Sequence, residues 1–240
     1  MDSPPQPMPP GERPTTTSLI DSLLGVQIDE AAQTKAQAKP IPLAGTDPQL
    51  HRKPTRRIYH DASRTRKAIE AIPELPGLGE SLHVLMTGAY DAFDLIDAII
   101  EHAYPVAIAE LHLATLGFSG KNLTRLIEMQ VAELVGPCTL IASEYFAADK
   151  TEAKVIHDLA ATLPLRGGWY IAARSHAKVF AAELSDGRCL TIESSANLRS
   201  CRNLEQFTLT NDPELYAFHW GWMREVYAEK QAREGQEVPD

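Results

Sequence analysis

His176 and Lys178 stand two apart in the stretch WYIAARSHAKVF, Trp169 to Phe180, where they set an imidazole and an ammonium in an apolar, strand-like run. On a strand, residues i and i+2 share a face, so the pair would project together while Ala177 and Val179 face the other way. Burying both against apolar neighbours is costly unless each finds a partner, so the sequence is expected to supply partners or a ligand. The turn signal Ser185-Asp186-Gly187-Arg188 predicts a hairpin, whose second arm ends in Glu193-Ser194-Ser195-Ala196-Asn197-Leu198. Its small hydroxyl and amide side chains would lie beside His176 and Lys178. The H-x-K spacing alone carries little, since His51-Arg52-Lys53 also fits it in a basic, proline-flanked stretch with no strand around it.

The elements that must position these residues alternate from Ser81 onward. Leu82 to Ala89 reads as a buried strand, and Asp91 to Ala103 as an amphipathic helix. Val106 to Leu116 is the next strand, Lys121 to Leu134 a helix, Cys138 to Phe146 a strand and Asp149 to Leu163 a helix. This rhythm predicts an α/β fold with a mixed, largely parallel sheet flanked by helices. After Pro164 strands dominate: WYIAA, HAKVFAAEL, CLTIES, and Asn203 to Thr210. Asp212-Pro213-Glu214 then starts a final helix, with Asp212 its expected N-cap. The aromatics Tyr216, Phe218, Trp220, Trp222 and Tyr227 form no single stripe along it; core packing is the first reading and a partner surface the second.

HAKVF, then SSANL after a hairpin, then NLEQF resembles the signature of the phospholipase D superfamily: H-x-K, G-S-x-N and a downstream acid. The resemblance covers best Trp169 to Thr210 and agrees with the β/α order back to Ser81. It implies a phospholipase D-like fold and a single-motif, nuclease-like member that completes its site by homodimerising. The chemistry suits these residue types. A phosphodiester can be cleaved without metal if an imidazole attacks phosphorus, a cation and neutral donors hold the equatorial oxygens, and a second imidazole protonates the leaving oxygen. By the resemblance His176 is the nucleophile that becomes phosphohistidine, and Lys178, Ser195 and Asn197 bind phosphate oxygens. Glu205 is the candidate carboxylate for the other imidazole nitrogen. Three departures stand out. Glu183 occupies the usual aspartate position and is expected to support the site from behind. The hairpin is long, and Ser194 replaces the first glycine of G-S-x-N, where a glycine would admit close backbone approach or positive φ.

Composition bounds the rest. With 240 residues, 44% hydrophobic and 23% charged, the chain is ordinary globular protein. Residues 1–60 are expected to form a disordered Pro-rich and basic tail, and 61–240 the catalytic domain. An odd three cysteines, Cys138, Cys189 and Cys201, without paired metal-ligand spacing, suggest reduced thiols in the cytoplasm and no metal or other cofactor. No apolar run is long enough to span a membrane, and the first residues lack a basic and an apolar leader region. The formal charge of −9 disfavours wholesale wrapping by nucleic acid. Yet Arg52, Lys53, Arg56, Arg57, Arg64, Arg66 and Lys67 face only one acid, Asp61, and could meet phosphates or serve as a solvated linker. An apolar patch, Ser18 to Ile28, has helical spacing that could dock on a protein partner or on the body of the chain, or form a transient helix with no partner.

Glu110 and His112 share a strand face, and His112 is the first candidate for a second imidazole within the chain. Three functions stay open at this stage: a metal-independent phosphodiesterase acting on DNA or RNA, a degenerate relative that binds nucleic acid or a protein, and a phospholipase. The last is disfavoured by the lack of a basic amphipathic membrane helix.

Overall fold

Strand-forming runs of Val, Ile, Leu and Ala line up as β1 (Arg56–Asp61), β2 (Glu80–Met86), β3 (Ile108–Thr115), β4 (Cys138–Ser143), β5 (Trp169–Ala173), β6 (Val179–Leu184), β7 (Cys189–Ser194) and β8 (Glu205–Asn211). In this computed structural model, residues 55–61, 67–86, 89–198 and 203–234 are described. The strands form one eight-stranded sheet in the order β1-β2-β8-β7-β6-β3-β4-β5. The sheet is mixed, as expected, but not largely parallel: its three parallel pairings are confined to the flanks, β1 with β2, and β3 with β4 with β5. The four central pairings, β2–β8, β8–β7, β7–β6 and β6–β3, are antiparallel. The reason is the β6–β7 hairpin and the return of β8, which fill the middle once no helix separates consecutive strands.

The helices are α1 (Ala68–Ala71), α2 (Asp94–Ala103), α3 (Gly120–Val131), α4 (Glu144–Ala148), α5 (Ala153–Leu165) and α6 (Pro213–Glu234). Alternation along the strands sends Leu111, Leu113, Leu140, Phe180, Ile192, Phe207 and Leu209 to one face, where they pack with Phe93, Leu95, Leu126 and Leu159 of the α2, α3 and α5 layers. Ala114, Ile141, Ile171 and Val179 go to the other, beneath Met223 of α6. Ser119 caps α3 by accepting from the Asn122 amide at 3.2 Å, and Asp212 caps α6 by accepting from the Glu214 amide at 2.9 Å.

Two further expectations shift. β1 carries Arg56 and Arg57 into the sheet in register with Glu80 and Ser81, so the boundary expected at residue 60 falls inside a strand. The second concerns Phe146: the strand expected to reach it stops at Ser143, whose hydroxyl accepts from the Tyr145 amide and starts α4. The apolar patch Ser18 to Ile28, Cys201 and most of the expected tail lie outside the described residues. Cys138 and Cys189 are buried free thiols, and no helix among the described residues is long and apolar enough to cross a membrane.

Candidate active site

β6 begins at Val179, so His176, Ala177 and Lys178 are not strand residues but the irregular lead-in to it. They nonetheless meet as the spacing implied, because Lys178 folds back on its neighbour: Nζ lies 3.0 Å from His176 Nδ1 and donates to the His176 carbonyl at 3.0 Å. A lysine donating to Nδ1 leaves the imidazole proton on Nε2. Lys178 is half-buried, and burial lowers its pKa while the Glu205 carboxylate opposes the shift. His176 itself is exposed.

The partners arrive through the antiparallel centre of the sheet. Val179 pairs with Glu193, and Ser194 donates its amide to the Lys178 carbonyl at 3.0 Å, so the end of β7 is fastened to the H-x-K segment. Ser194 in turn pairs with Phe207, which brings the start of β8 alongside. Ser195 Oγ donates to Glu205 Oε2 and accepts from the Gln206 amide at 3.0 Å, while its own amide donates to the Gln206 carbonyl at 3.0 Å. His176, Lys178, Ser195, Asn197 and Glu205 thus sit at one end of the sheet. It is the end where the parallel strands β3, β4 and β5 finish, the usual place for a ligand site in an α/β sheet.

Asn197 is half-buried between Ala196 and Leu198, and its Oδ1 is enclosed without a hydrogen-bond partner among the described residues. Ser194 needs no glycine conformation: its φ is not positive, and its hydroxyl donates to the Gln206 carbonyl at 3.1 Å and accepts from the Ala196 amide at 2.9 Å. The extra hairpin length is also harmless here. It is spent at the Ser185–Arg188 turn, where Gly187 has φ 86° and Asp186 holds Arg188, at the opposite end of β6 and β7.

Other expected residues fall elsewhere. Glu183 lies five residues up β6 from Lys178, roughly 16 Å away at strand rise. There it pairs with Cys189 and contacts Tyr216, so it does not support the site from behind. Arg56 and Arg57 lie at the Glu80 end of β1, about 20 Å along the strand from the Met86–Glu205 pairing. Arg56 is spent on Glu80 at 2.8 Å. Lys67 precedes α1 and lines a recess with Tyr90, Asp94 and Asp97, while Arg52, Lys53, Arg64 and Arg66 lie outside the described residues.

His112 is not in the cleft. It is 2% exposed under α6, with Nδ1 3.0 Å from Thr139 Oγ1, Nε2 3.0 Å from the Tyr216 hydroxyl, and its ring stacked on Trp220 at 3.6 Å. Burial pushes its pKa down to about 4. Among the described residues no group of three His, Cys, Asp or Glu side chains is arranged to hold a metal ion.

Thr115 and Asn122 are residues that motif reading passes over, and both touch the segment carrying Asn197. A signal for Asn122 exists: with Leu126 and Met129 it falls at i, i+4, i+7 on the buried face of α3, where an amide demands a partner.

No family model and no curated protein matches the chain. Among solved structures it is similar to a phospholipase D family member, Nuc from Salmonella typhimurium, at 14% identity and TM-score 0.40, over 55% of this chain and 86% of that one. It is similar to NucT from Helicobacter pylori at 16% identity and TM-score 0.43, over 62% and 97% of the two chains. A variant of yeast tyrosyl-DNA phosphodiesterase 1 is similar at 15% identity and TM-score 0.31, over 54% of this chain but 31% of that one.

Proposed function

We propose that the chain is a metal-independent phosphodiesterase of the phospholipase D superfamily that cleaves nucleic acid through a phosphohistidine, in a site shared between two copies. The observation that carries this reading is the convergence of His176, Lys178, Ser195 and Glu205 at one end of the sheet, from three segments that the motifs alone relate.

In the free protein Lys178 occupies His176 Nδ1, which places the proton on Nε2 and leaves the ring in the wrong tautomer to attack through that atom. A bound phosphodiester draws the Lys178 ammonium onto a non-bridging oxygen. Nδ1 then takes the proton and donates it toward Glu205, and the lone pair moves to Nε2. His176 Nε2 attacks phosphorus, the P–O bond to the leaving group breaks, and the second copy's His176 protonates that oxygen. Water, deprotonated by the same mate, then attacks phosphorus, the P–Nε2 bond breaks, and a phosphomonoester leaves His176. Ser195 and Asn197 supply neutral donors to the oxygens where charge grows. The second imidazole is sought in another copy because His112 has both ring nitrogens engaged in the core.

The test is cleavage of oligonucleotides and a chromogenic phosphodiester in excess EDTA. Turnover is expected; activity that disappears on chelation and returns with a divalent metal would overturn the mechanism. Sharing is tested by subunit exchange between parent and His176→Ala chains. Activity at fixed total protein is expected to follow the square of the parent fraction. A straight line would assign the complete site to a single chain.

A further inference from the structure

Leu198 is the last residue of the SSANL stretch, and both polar groups of its backbone are taken by buried side chains from a distant part of the fold. Its amide donates to Thr115 Oγ1 at 3.1 Å, and its carbonyl accepts from Asn122 Nδ2 at 3.1 Å. Thr115 is the last residue of β3 and Asn122 lies in the first turn of α3; both are 0% exposed. Each is itself held. Thr115 Oγ1 donates onward to the Gly117 carbonyl at 3.0 Å, and the Asn122 backbone N–H donates to the Ser119 Oγ cap at 3.2 Å. Phe118, between them, forms a bridge with Leu198 and is fully buried, as is Leu198. On the other flank, Ala196 is fixed through Ser194 Oγ. Asn197 is therefore clamped on both sides, and the clamp on its C-terminal side comes entirely from the β3–α3 junction.

Resting on the phosphodiesterase reading above, we propose that Thr115 and Asn122 are positioning residues that aim Asn197 at a phosphate oxygen through the Leu198 backbone. Neither reaches the substrate. A backbone amide and carbonyl held by two polar side chains in a dry interior fix both peptide planes on either side of Leu198, and the first of them, shared with Asn197, sets the direction of the Asn197 Cα–Cβ bond. A buried hydroxyl and amide are costly choices for a junction that alanine, valine or leucine could fill. Their placement on the two peptide groups that flank the Leu198 Cα gives them a use. Misplacing a phosphate ligand by about 1 Å can cost on the order of 100-fold in rate.

The experiment is a double-mutant cycle between Thr115→Val and Asn197→Ala, with Asn122→Leu as an independent second probe and Thr115→Ser as rescue. Thr115→Val and Asn122→Leu are expected to lower kcat about 10-fold or more with KM moved less than about 3-fold, and Thr115→Ser to restore it. In the Asn197→Ala background the Thr115→Val loss should shrink to less than about 2-fold, because the group it aims is gone. Thr139→Val, which removes another buried hydroxyl in a different part of the core, controls for lost stability and should leave kcat within about 2-fold. Additive losses in the cycle, or full kcat in both Thr115→Val and Asn122→Leu while Asn197→Ala is impaired, would overturn the assignment. A parent without turnover would instead overturn the phosphodiesterase reading. Calorimetric binding of inorganic phosphate then decides this one: it should weaken in Thr115→Val as in Asn197→Ala, and equal binding by Thr115→Val and the parent would refute it.

Discussion

His176→Ala should lose about 1,000-fold or more of its phosphodiesterase rate in EDTA, because the substitution removes a nucleophile and, in its mate, the acid for the leaving group. Both roles vanish in a homodimer of the variant, and hydroxyl and amide donors alone cannot replace a covalent intermediate. Folding should be almost untouched. The imidazole is exposed and its neighbour Lys178 keeps a second acceptor, the residue 176 carbonyl, so a change within about 0.5 kcal/mol is expected. Parallel assays and urea unfolding check this. A variant that retains more than a tenth of the parent rate would remove His176 from the chemistry, and one that unfolds would make the loss of rate uninformative about role. Lys178→Ala should fall less steeply, since it removes a phosphate ligand and at the same time frees Nδ1.

Acidification should weaken the fold through His112. Its folded-state pKa is about 4 against 6.5 unperturbed, so between those values the unfolded chain binds a proton that the native ring excludes. The stability due to the neutral ring is complete above 6.5 and falls as pH drops toward about 4. A gap of roughly 2.5 pH units corresponds to about 3 kcal/mol, a large share of what holds an ordinary domain together. The surroundings match that sign: Trp220 covers the ring, Thr139 and Tyr216 occupy its nitrogens, and Glu110, half-exposed at 3.4 Å, is the nearby acid. Urea midpoints at pH 7.5 and 5 measure it. The parent should lose more stability over that interval than His112→Gln, and equal losses would show that the ring titrates normally in the native state.

Legibility in the sequence followed the range of the interactions. Strands and helices were readable because alternation and helical spacing are local, and they survive as β2 to β8 and α2, α3, α5 and α6 with shifted ends. The pairing was less readable. β8 lies between β2 and β7, and nothing near Glu205 states that its neighbours come from opposite ends of the chain. The meeting of His176 and Lys178 with the end of β7 was legible from spacing plus the hairpin. Their geometry differs from a continuous strand, because the chain enters β6 only at Val179. Glu183 misled because a position in a motif says nothing of distance along a strand. His112 misled because sharing a face with Glu110 does not say that a helix covers that face. Thr115 and Asn122 were invisible as ligands of Leu198, being 83 and 76 residues away from it.

The place of β8 also governs when a newly made chain can assemble its cleft. Ser81 on β2 and Thr210 on β8 are joined by a 2.8 Å hydroxyl contact across 129 residues. Until β8 exists, β1 and β2 form a pair with no edge in common with β3 to β7. At about 5–20 residues per second, synthesis separates Ser81 from Thr210 by roughly 6 to 26 s. At the end of that interval, for the roughly 0.5 to 2 s between Ser195 and Glu205, Ser195 has no partner on β8 to hold it, and the half-sheet bearing His176 stands apart from the half bearing β2. Insertion of one strand then closes the sheet and assembles the cleft together, so a ribosome-bound chain that has not yet extended past Asn211 carries the motifs without the site.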